Sequence, residues 1–244
     1  MKIIKHLPNT LTCCNLLSGC ISIALLFNGN LMGAGVMIFI AALFDFFDGF
    51  AARLLNAHSP IGGELDSLSD VVSFGVAPSF IVYRLLSESS LSLIVNNINI
   101  IPFAAFLMAA FASIRLAKFN IDPEQKSSFV GLPTPATGIF FASIAIGITQ
   151  TETDSILHII NSPLPLLASI LIFSFLMVSK IPFFSFKIKN FSFKDNSLRY
   201  TVIMIAIIIF VLLKWQSLPF IILFYILLSF CFYKEEKDKK QSDA

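Results

Sequence analysis

Four aspartates in one short stretch of the chain have the residue type and spacing of a divalent-metal site. Asp45 and Asp48 are three residues apart, and Asp66 and Asp70 are four apart. At about 100° per residue, each pair falls on one face of a helix. The intervening LLNAHSPIGGE, with a proline and two glycines, should turn the chain back and make the two helices neighbours. Converging carboxylates repel one another unless a cation lies among them, and oxygen-only ligands favour Mg²⁺ or Mn²⁺.

The residues that follow Asp48 fit a phosphate-bearing ligand. Gly49 and Ala52 come one and four positions later, and they leave a low surface for a bulky group. Arg53 offers a planar fork of donors that suits phosphate oxygens. Acid-bound divalent metals with an arginine are typical of phosphoryl chemistry. The alternative for any one of these aspartates is a solvated helix cap.

The composition indicates how these residues are carried. The chain is 56% hydrophobic and 13% charged, whereas soluble domains are about 45–50% apolar and about 25% charged. The apolar excess is spread along the sequence, which predicts an all-α, polytopic membrane helix bundle over a single domain, residues 1–244. A disordered charged tail is expected at 234–244. The net charge of +2 gives no reason to expect a nucleic-acid partner. About eight spans are expected, at 11–27, 31–54, 66–86, 98–117, 132–150, 164–181, 199–214 and 218–233.

The basic residues predict the orientation in the membrane. With the N-terminus inside, only Arg84 and Lys214 of the 17 lysines and arginines fall at outer ends. The positive-inside rule then puts both termini, and the stretch from Asp45 to Asp70, on the cytoplasmic side of the cell (inner) membrane. The basic and apolar N-terminal segment is expected to remain as the first membrane helix. The four cysteines lie in apolar runs and are expected to be buried thiols.

The aspartate pattern resembles the signature of the CDP-alcohol phosphatidyltransferases. That resemblance implies a membrane enzyme with a six-helix core, usually a homodimer, that replaces the CMP of a CDP-linked lipid with an alcohol. It implies metal ligation by Asp45, Asp48 and Asp66, with Asp70 beside them at the metal site as the base. It also implies that Gly49, Ala52, Arg53 and Gly62 bind the CDP-lipid. Every fixed position matches: Asp45, Asp48, Gly49, Ala52, Arg53, Gly62, Asp66 and Asp70.

Further segments resemble the serine branch of that family, the CDP-diacylglycerol–serine O-phosphatidyltransferases. They are LPNTLTCCNLLSG, SFGVAPS, RLAKFN and GLPTPA, and the resemblance extends over about residues 7–180. It implies CDP-diacylglycerol and L-serine as substrates. A serine carboxylate needs a nearby cation, and Arg115 or Lys118, three residues apart on one helical face, could supply it. The alternative is that both are positive-inside anchors that reach lipid headgroups.

Two other functions stay open at the level of sequence. Within the enzyme class, the acceptor could be glycerol 3-phosphate, inositol or inositol phosphate, or choline. Outside it, intramembrane acids also mark ion-coupled transporters, in which they would be spread over the depth of several spans. Here the remaining acids fall in expected loops, and the cluster lies at one membrane face. That pattern favours an enzyme.

Overall fold

The described part of the chain is almost entirely helical. The computed structural model describes residues 6–57, 59–121, 130–150, 162–181, 183, 204–205, 207–211 and 217–242, the last of these without side chains beyond 229. Its helices are α1 Leu7–Phe27, α2 Leu31–Leu54, α3 Pro60–Asp70, α4 Ala77–Ser87, α5 Leu107–Ile121, α6 Thr134–Gln150, α7 Pro163–Val178 and α8 Ser217–Ser242. A π-helical turn, Val71–Val76, joins α3 to α4, and a 3₁₀ helix, Ile101–Phe106, leads into α5. Strands β1 Ile94–Val95 and β2 Ile98–Asn99 form an antiparallel hairpin.

Four helical segments of the described chain are long and apolar enough to cross a membrane: Leu7–Phe27, Leu31–Leu54, Pro60–Ser87 and Ile101–Ile121. Pro163–Val178 and Ser217–Ser229 are shorter apolar helices. Many large apolar side chains on these helices point away from the core, including Leu17, Phe50 and Phe175, which are 58%, 49% and 62% exposed. An outward apolar surface on a helical bundle is what contact with lipid requires. The protein is therefore a polytopic helical membrane protein, as predicted.

Local signals set the helix ends that position the aspartates. Gly29 adopts a φ of +79° in the turn between α1 and α2, and the side chain of Asn30 accepts a 2.7 Å hydrogen bond from the Gly33 amide. The hydroxyl of Ser59 caps α3 in the same way, accepting from the Gly62 amide at 3.1 Å, and Pro60 follows at the first helical position. The connection from α2 to α3 is thus short, and it brings the end of one helix close to the start of the next.

Glycines allow the helices to pack closely. A Cβ on Gly35 of α2 would lie 2.8 Å from the carbonyl oxygen of Ala142 in α6, so the two backbones meet there. Small residues at such crossings are typical of helix pairs in membranes. The core beside this crossing is aromatic, since Phe140 and Phe173 stack with ring centroids 4.3 Å apart.

Several expected boundaries were wrong. Because Ser59 caps α3, Gly62 and Gly63 lie within the helix and do not form the turn. The expected span 98–117 begins only at Ile101, since residues 98–99 pair with β1. The tail at 234–244 was expected to be disordered, but α8 continues to Ser242, since lysine and glutamate extend an existing helix readily. Of the expected span 199–214, only 204–205 and 207–211 are described, and these are helical.

The expectation of buried thiols was also wrong for most of the described cysteines. Cys13 and Cys20 are exposed and Cys14 is half-buried, because α1 turns this part of its surface outward. The side chain of Cys231 lies outside the described residues.

Candidate active site

Three aspartates from two helices converge on one point. Asp45 and Asp48 belong to the last turns of α2 and Asp66 to α3, and one carboxylate oxygen of each lies within 4.8 Å of the others. Asp48 is buried, while Asp45 and Asp66 are half-buried. Oδ2 of Asp48 and Oδ1 of Asp66 are buried and have no hydrogen-bond partner among the described residues. Gathered carboxylates with orphaned oxygens fit a hard divalent cation, which would give those oxygens a partner and cancel the repulsion.

Asp70 lies one helical turn beyond Asp66, at the end of α3. It is 6% exposed, and Nδ2 of Asn15 in α1 donates a 3.1 Å hydrogen bond to its Oδ1. Its carboxyl group lies within electrostatic reach of Asp45, Asp66 and Arg115. Among the described residues, the oxygens within 4.8 Å of one another come from the other three aspartates. Asp70 is therefore next to the triad but held separately, by α1.

Asn15 is the site residue that sequence reasoning missed. Its side chain is fully buried, and its backbone carbonyl accepts a 2.9 Å hydrogen bond from the hydroxyl of Ser73 in the π-helical turn. One residue of α1 thus contacts both Asp70 and the turn that follows it. A signal was available, because an asparagine in an apolar membrane helix requires a polar partner on another helix.

A cavity of about 220 Å³ adjoins the triad. Asn9 and Thr12 of α1 form part of its wall. The guanidinium of Arg53 lies over Gly49, since a Cβ added there would be 3.6 Å from Nη1. A Cβ on Gly62 would come within 3.0 Å of Oδ1 of Asn9. The signature positions among the lining residues are Asp48, Gly49, Ala52, Arg53, Gly62 and Asp66.

Arg115 and Lys118 lie in different surroundings, although both are on α5. Arg115 is 7% exposed, and its Nη1 donates to the hydroxyl of Thr134 at 3.3 Å. In the described part of the chain, its Nε has no hydrogen-bond partner. Such burial does not fit a side chain that reaches lipid headgroups. Lys118 is exposed, so the anchoring alternative stays open for it.

A polar bridge ties the helix of Asp66 to that of Arg115. The hydroxyl of Ser67 donates to Oδ1 of Asn120 at 3.2 Å, and Nδ2 of Asn120 lies 3.0 Å from the same hydroxyl. Nδ2 also donates to Oε2 of Glu64 at 3.4 Å. These contacts join α3 to the end of α5, on the same side of the bundle as the triad.

The fold and the site together define a membrane-embedded helical protein with a cluster of acidic side chains beside a polar cavity. A family model described as CDP-alcohol phosphatidyltransferase matches residues 5–233, and the chain belongs to that family. This bears out the resemblance seen in the aspartate signature.

Curated relatives extend the comparison over most of the chain. A CDP-diacylglycerol–serine O-phosphatidyltransferase of Bacillus subtilis is 37% identical over 187 residues, which cover 75% of this chain and 92% of that protein. Proteins of the same name from Methanocaldococcus jannaschii and Helicobacter pylori are 33% and 32% identical. These matches cover 70% and 74% of this chain, and 72% of each relative.

Proposed function

We propose that this protein transfers the phosphatidyl group of CDP-diacylglycerol to the hydroxyl of L-serine and releases CMP. The observation that carries the proposal is the convergence of Asp45, Asp48 and Asp66 within 4.8 Å, beside a cavity whose lining includes the signature residues Gly49, Ala52, Arg53 and Gly62. The choice of serine rests on the names of the relatives and on Arg115.

The aspartates would hold Mg²⁺ or Mn²⁺, since carboxylate oxygens suit hard divalent cations. When bound, the metal would neutralise negative charge on the pyrophosphate and on the departing phosphate. Arg53 would donate hydrogen bonds to phosphate oxygens, as arginine does with charge-assisted geometry. Gly49, Ala52 and Gly62 would keep the cavity free of side chains where the CDP group enters.

Asp70 would act as the base. Its Oδ1 is occupied by the bond from Asn15, so Oδ2 is the oxygen that would accept the proton of the serine hydroxyl. The serine oxygen would then bond to the lipid-bearing phosphorus while the bond from that phosphorus to the CMP oxygen breaks. The proton stays on Asp70 and the electron pair leaves with CMP, so the exchange balances.

Arg115 is our candidate for binding the serine carboxylate. It is the only buried basic side chain among the described residues, and its Nε lacks a partner. A phosphorylated acceptor would favour a denser cluster of cations, which argues for serine over glycerol 3-phosphate. The described acids that are buried or half-buried, Asp45, Asp48, Asp66 and Asp70, all belong to this one cluster. A transporter would be expected to spread such acids over the depth of the membrane.

The proposal also covers the orientation of the protein in the membrane, its extent as a domain and its oligomeric state. We place the site and both termini on the cytoplasmic side of the inner membrane, since only Arg84 and Lys214 break the inside bias of basic residues. The chain would act as one catalytic domain over residues 1–244, and as a homodimer.

A panel of labelled alcohols tests the proposal. Purified protein with CDP-diacylglycerol is given serine, glycerol 3-phosphate, inositol or choline, each with Mn²⁺, Mg²⁺ or chelator. We expect label in lipid from serine alone, and only with metal. Asp66→Asn should abolish incorporation, whereas Glu64→Gln, an exposed acid of the same helix, should not. Incorporation from another alcohol, or undiminished transfer in chelator, would contradict the proposal.

The role of Asp70 has its own test. Asp70→Asn should lose turnover while CDP-diacylglycerol binding is kept. Near-normal turnover would rule out Asp70 as the base.

A further inference from the structure

A small hairpin connects α4 to the helical segment that begins at Ile101. Its two-residue strands pair Ile94 with Asn99 and Val95 with Ile98, around a turn in which Asn96 and Asn97 have positive φ. Side-chain bonds close its base, since Oδ1 of Asn99 accepts from the Leu93 amide at 3.1 Å. A hairpin this short is marginally stable at best when water surrounds it.

The hairpin exposes a run of large aliphatic side chains. The exposed fractions are 55% for Leu93, 59% for Ile94, 47% for Val95, 55% for Ile98 and 41% for Ile100. No charged residue occurs between Glu88 and Arg115 in the sequence. An exposed apolar patch without charges marks an interaction surface.

The hairpin lies at the end of the bundle opposite the aspartates. From Asp70 the chain runs away from the site through Val71–Ser87, which at about 1.5 Å per residue covers roughly 25 Å. The return helix α5 then brings Asn120 back to Ser67 beside the triad. A bilayer hydrocarbon core is about 30 Å thick. If the aspartates lie near one membrane surface, the hairpin therefore lies near the other.

The helical segments on either side of the hairpin share an aromatic cluster. Tyr83 contacts Phe103 and Phe106 with ring centroids 5.3 and 5.6 Å apart, and Phe80 contacts Phe106 at 5.2 Å. Phe103 is itself 48% exposed. Aromatic side chains, above all those of Trp and Tyr, are enriched at the boundary between headgroups and acyl chains.

We propose that the hairpin at residues 93–100 inserts into the headgroup–acyl boundary of the leaflet opposite the aspartate cluster and anchors the bundle at that depth. The occupant of this apolar surface is lipid, because exposed apolar side chains continue from the hairpin into the membrane-length segment Ile101–Ile121, where Phe103 and Leu107 are 48% and 40% exposed. The pairing of the strands, and the bond from the Ile100 amide to the Leu93 carbonyl at 3.0 Å, satisfy part of the backbone, which lowers the cost of entering an apolar medium.

Tryptophan reporters test the depth of the hairpin. The chain has one tryptophan, Trp215, so the Trp215→Phe variant has no tryptophan fluorescence of its own. In that background, Ile94→Trp places the reporter on β1, and Leu17→Trp serves as the matched reporter near the middle of α1. The full-length proteins are reconstituted in phosphatidylcholine–phosphatidylglycerol vesicles. Quenching is compared between acrylamide, a lipid nitroxide near the headgroup and a nitroxide midway along the acyl chain.

We expect the Ile94→Trp reporter to be quenched most by the shallow nitroxide and to be protected from acrylamide, while the Leu17→Trp reporter responds most to the deep one. Quenching of Ile94→Trp by acrylamide as strongly as free tryptophan would overturn the proposal. Protection from all three quenchers would also overturn it, because it would mean that protein, such as a second copy of the chain, covers the hairpin. Ile98→Trp on β2 repeats the measurement if Ile94→Trp does not fold.

Discussion

Replacing Asn15 should impair turnover far more than substrate binding. In our proposal, its Nδ2 fixes Oδ1 of Asp70 and leaves Oδ2 free to accept the proton. Asn15→Ala removes that donor, and Asn15→Asp keeps the shape but replaces the donor with a second carboxylate. A hydrogen bond to a charged group contributes about 1.5–3 kcal/mol. At about 1.4 kcal/mol per tenfold change in rate, Asn15→Ala should lower kcat roughly 10- to 150-fold. Asn15→Asp should lower it further, because the new acid repels Asp70.

The assay is incorporation of labelled serine at saturating and limiting substrate, so that kcat and KM are separated. Binding of CDP-diacylglycerol and the unfolding temperature are measured on the same preparations. Ser18→Ala is the matched control, since Ser18 is 3% exposed on the same helix and its hydroxyl donates to the Cys14 carbonyl of that helix. The reasoning is refuted if Asn15→Ala keeps its kcat, or if Ser18→Ala loses as much. A fall in CDP-lipid binding equal to the fall in kcat would show a structural role instead.

Three further predictions concern the cation site, the cavity and the acceptor. Asp66→Asn should raise the unfolding temperature without metal, because it relieves repulsion among the three carboxylates. We expect Mn²⁺ to raise the unfolding temperature of the parent protein and not that of Asp66→Asn. An equal response of both proteins to Mn²⁺ would count against the site. Gly62→Ala should raise the KM for CDP-diacylglycerol, since its Cβ would lie 3.0 Å from Oδ1 of Asn9. Gly63→Ala should bind normally, since no atom of the described residues lies within 4 Å of its added Cβ. Equal effects of the two changes on KM would contradict this. Arg115→Lys should raise the KM for serine roughly 10- to 150-fold, since a hydrogen bond to a charged group contributes about 1.5–3 kcal/mol. Lys118→Ala should leave this KM nearly unchanged. The reverse ranking would assign the carboxylate to Lys118.

The helical architecture could be predicted because its determinants are local. Runs of apolar residues gave α1 and α2 with nearly their observed bounds. The errors arose where a single side chain decides the boundary. Ser59 caps α3 six residues earlier than hydropathy suggested. The turn at Asn96 and Asn97 pairs residues 98–99 with β1, where the first residues of a helix were expected.

The aspartate triad was also predictable, since spacing on two consecutive helices brings the carboxylates together. The contribution of α1 was not, because the contact between Asn15 and Asp70 joins residues 55 positions apart. The difference in burial between Arg115 and Lys118 could not be predicted either, since helical spacing put both on one face. Burial of Arg115 depends on α6, which supplies Thr134.

The π-helical turn after Asp70 explains how a site with few ion pairs can be held in place. Close backbone contacts hold this turn against three helices. A Cβ on Gly19 of α1 would lie 2.8 Å from Cα of Ser73, and one on Gly138 of α6 would lie 3.1 Å from Cα of Phe74. A Cβ on Gly75 of the turn would lie 3.3 Å from Cα of Ala109 in α5. Such close approaches leave the turn little room to shift without moving a whole helix. A π-helical turn replaces the regular i→i+4 hydrogen bonds of an α-helix with i→i+5 bonds and is therefore rare. It persists where the surrounding packing supports it. The orientation of Asp70 is therefore set mainly by packing of small residues in α1, α5 and α6, and the hydrogen bond from Asn15 then selects which carboxylate oxygen stays free.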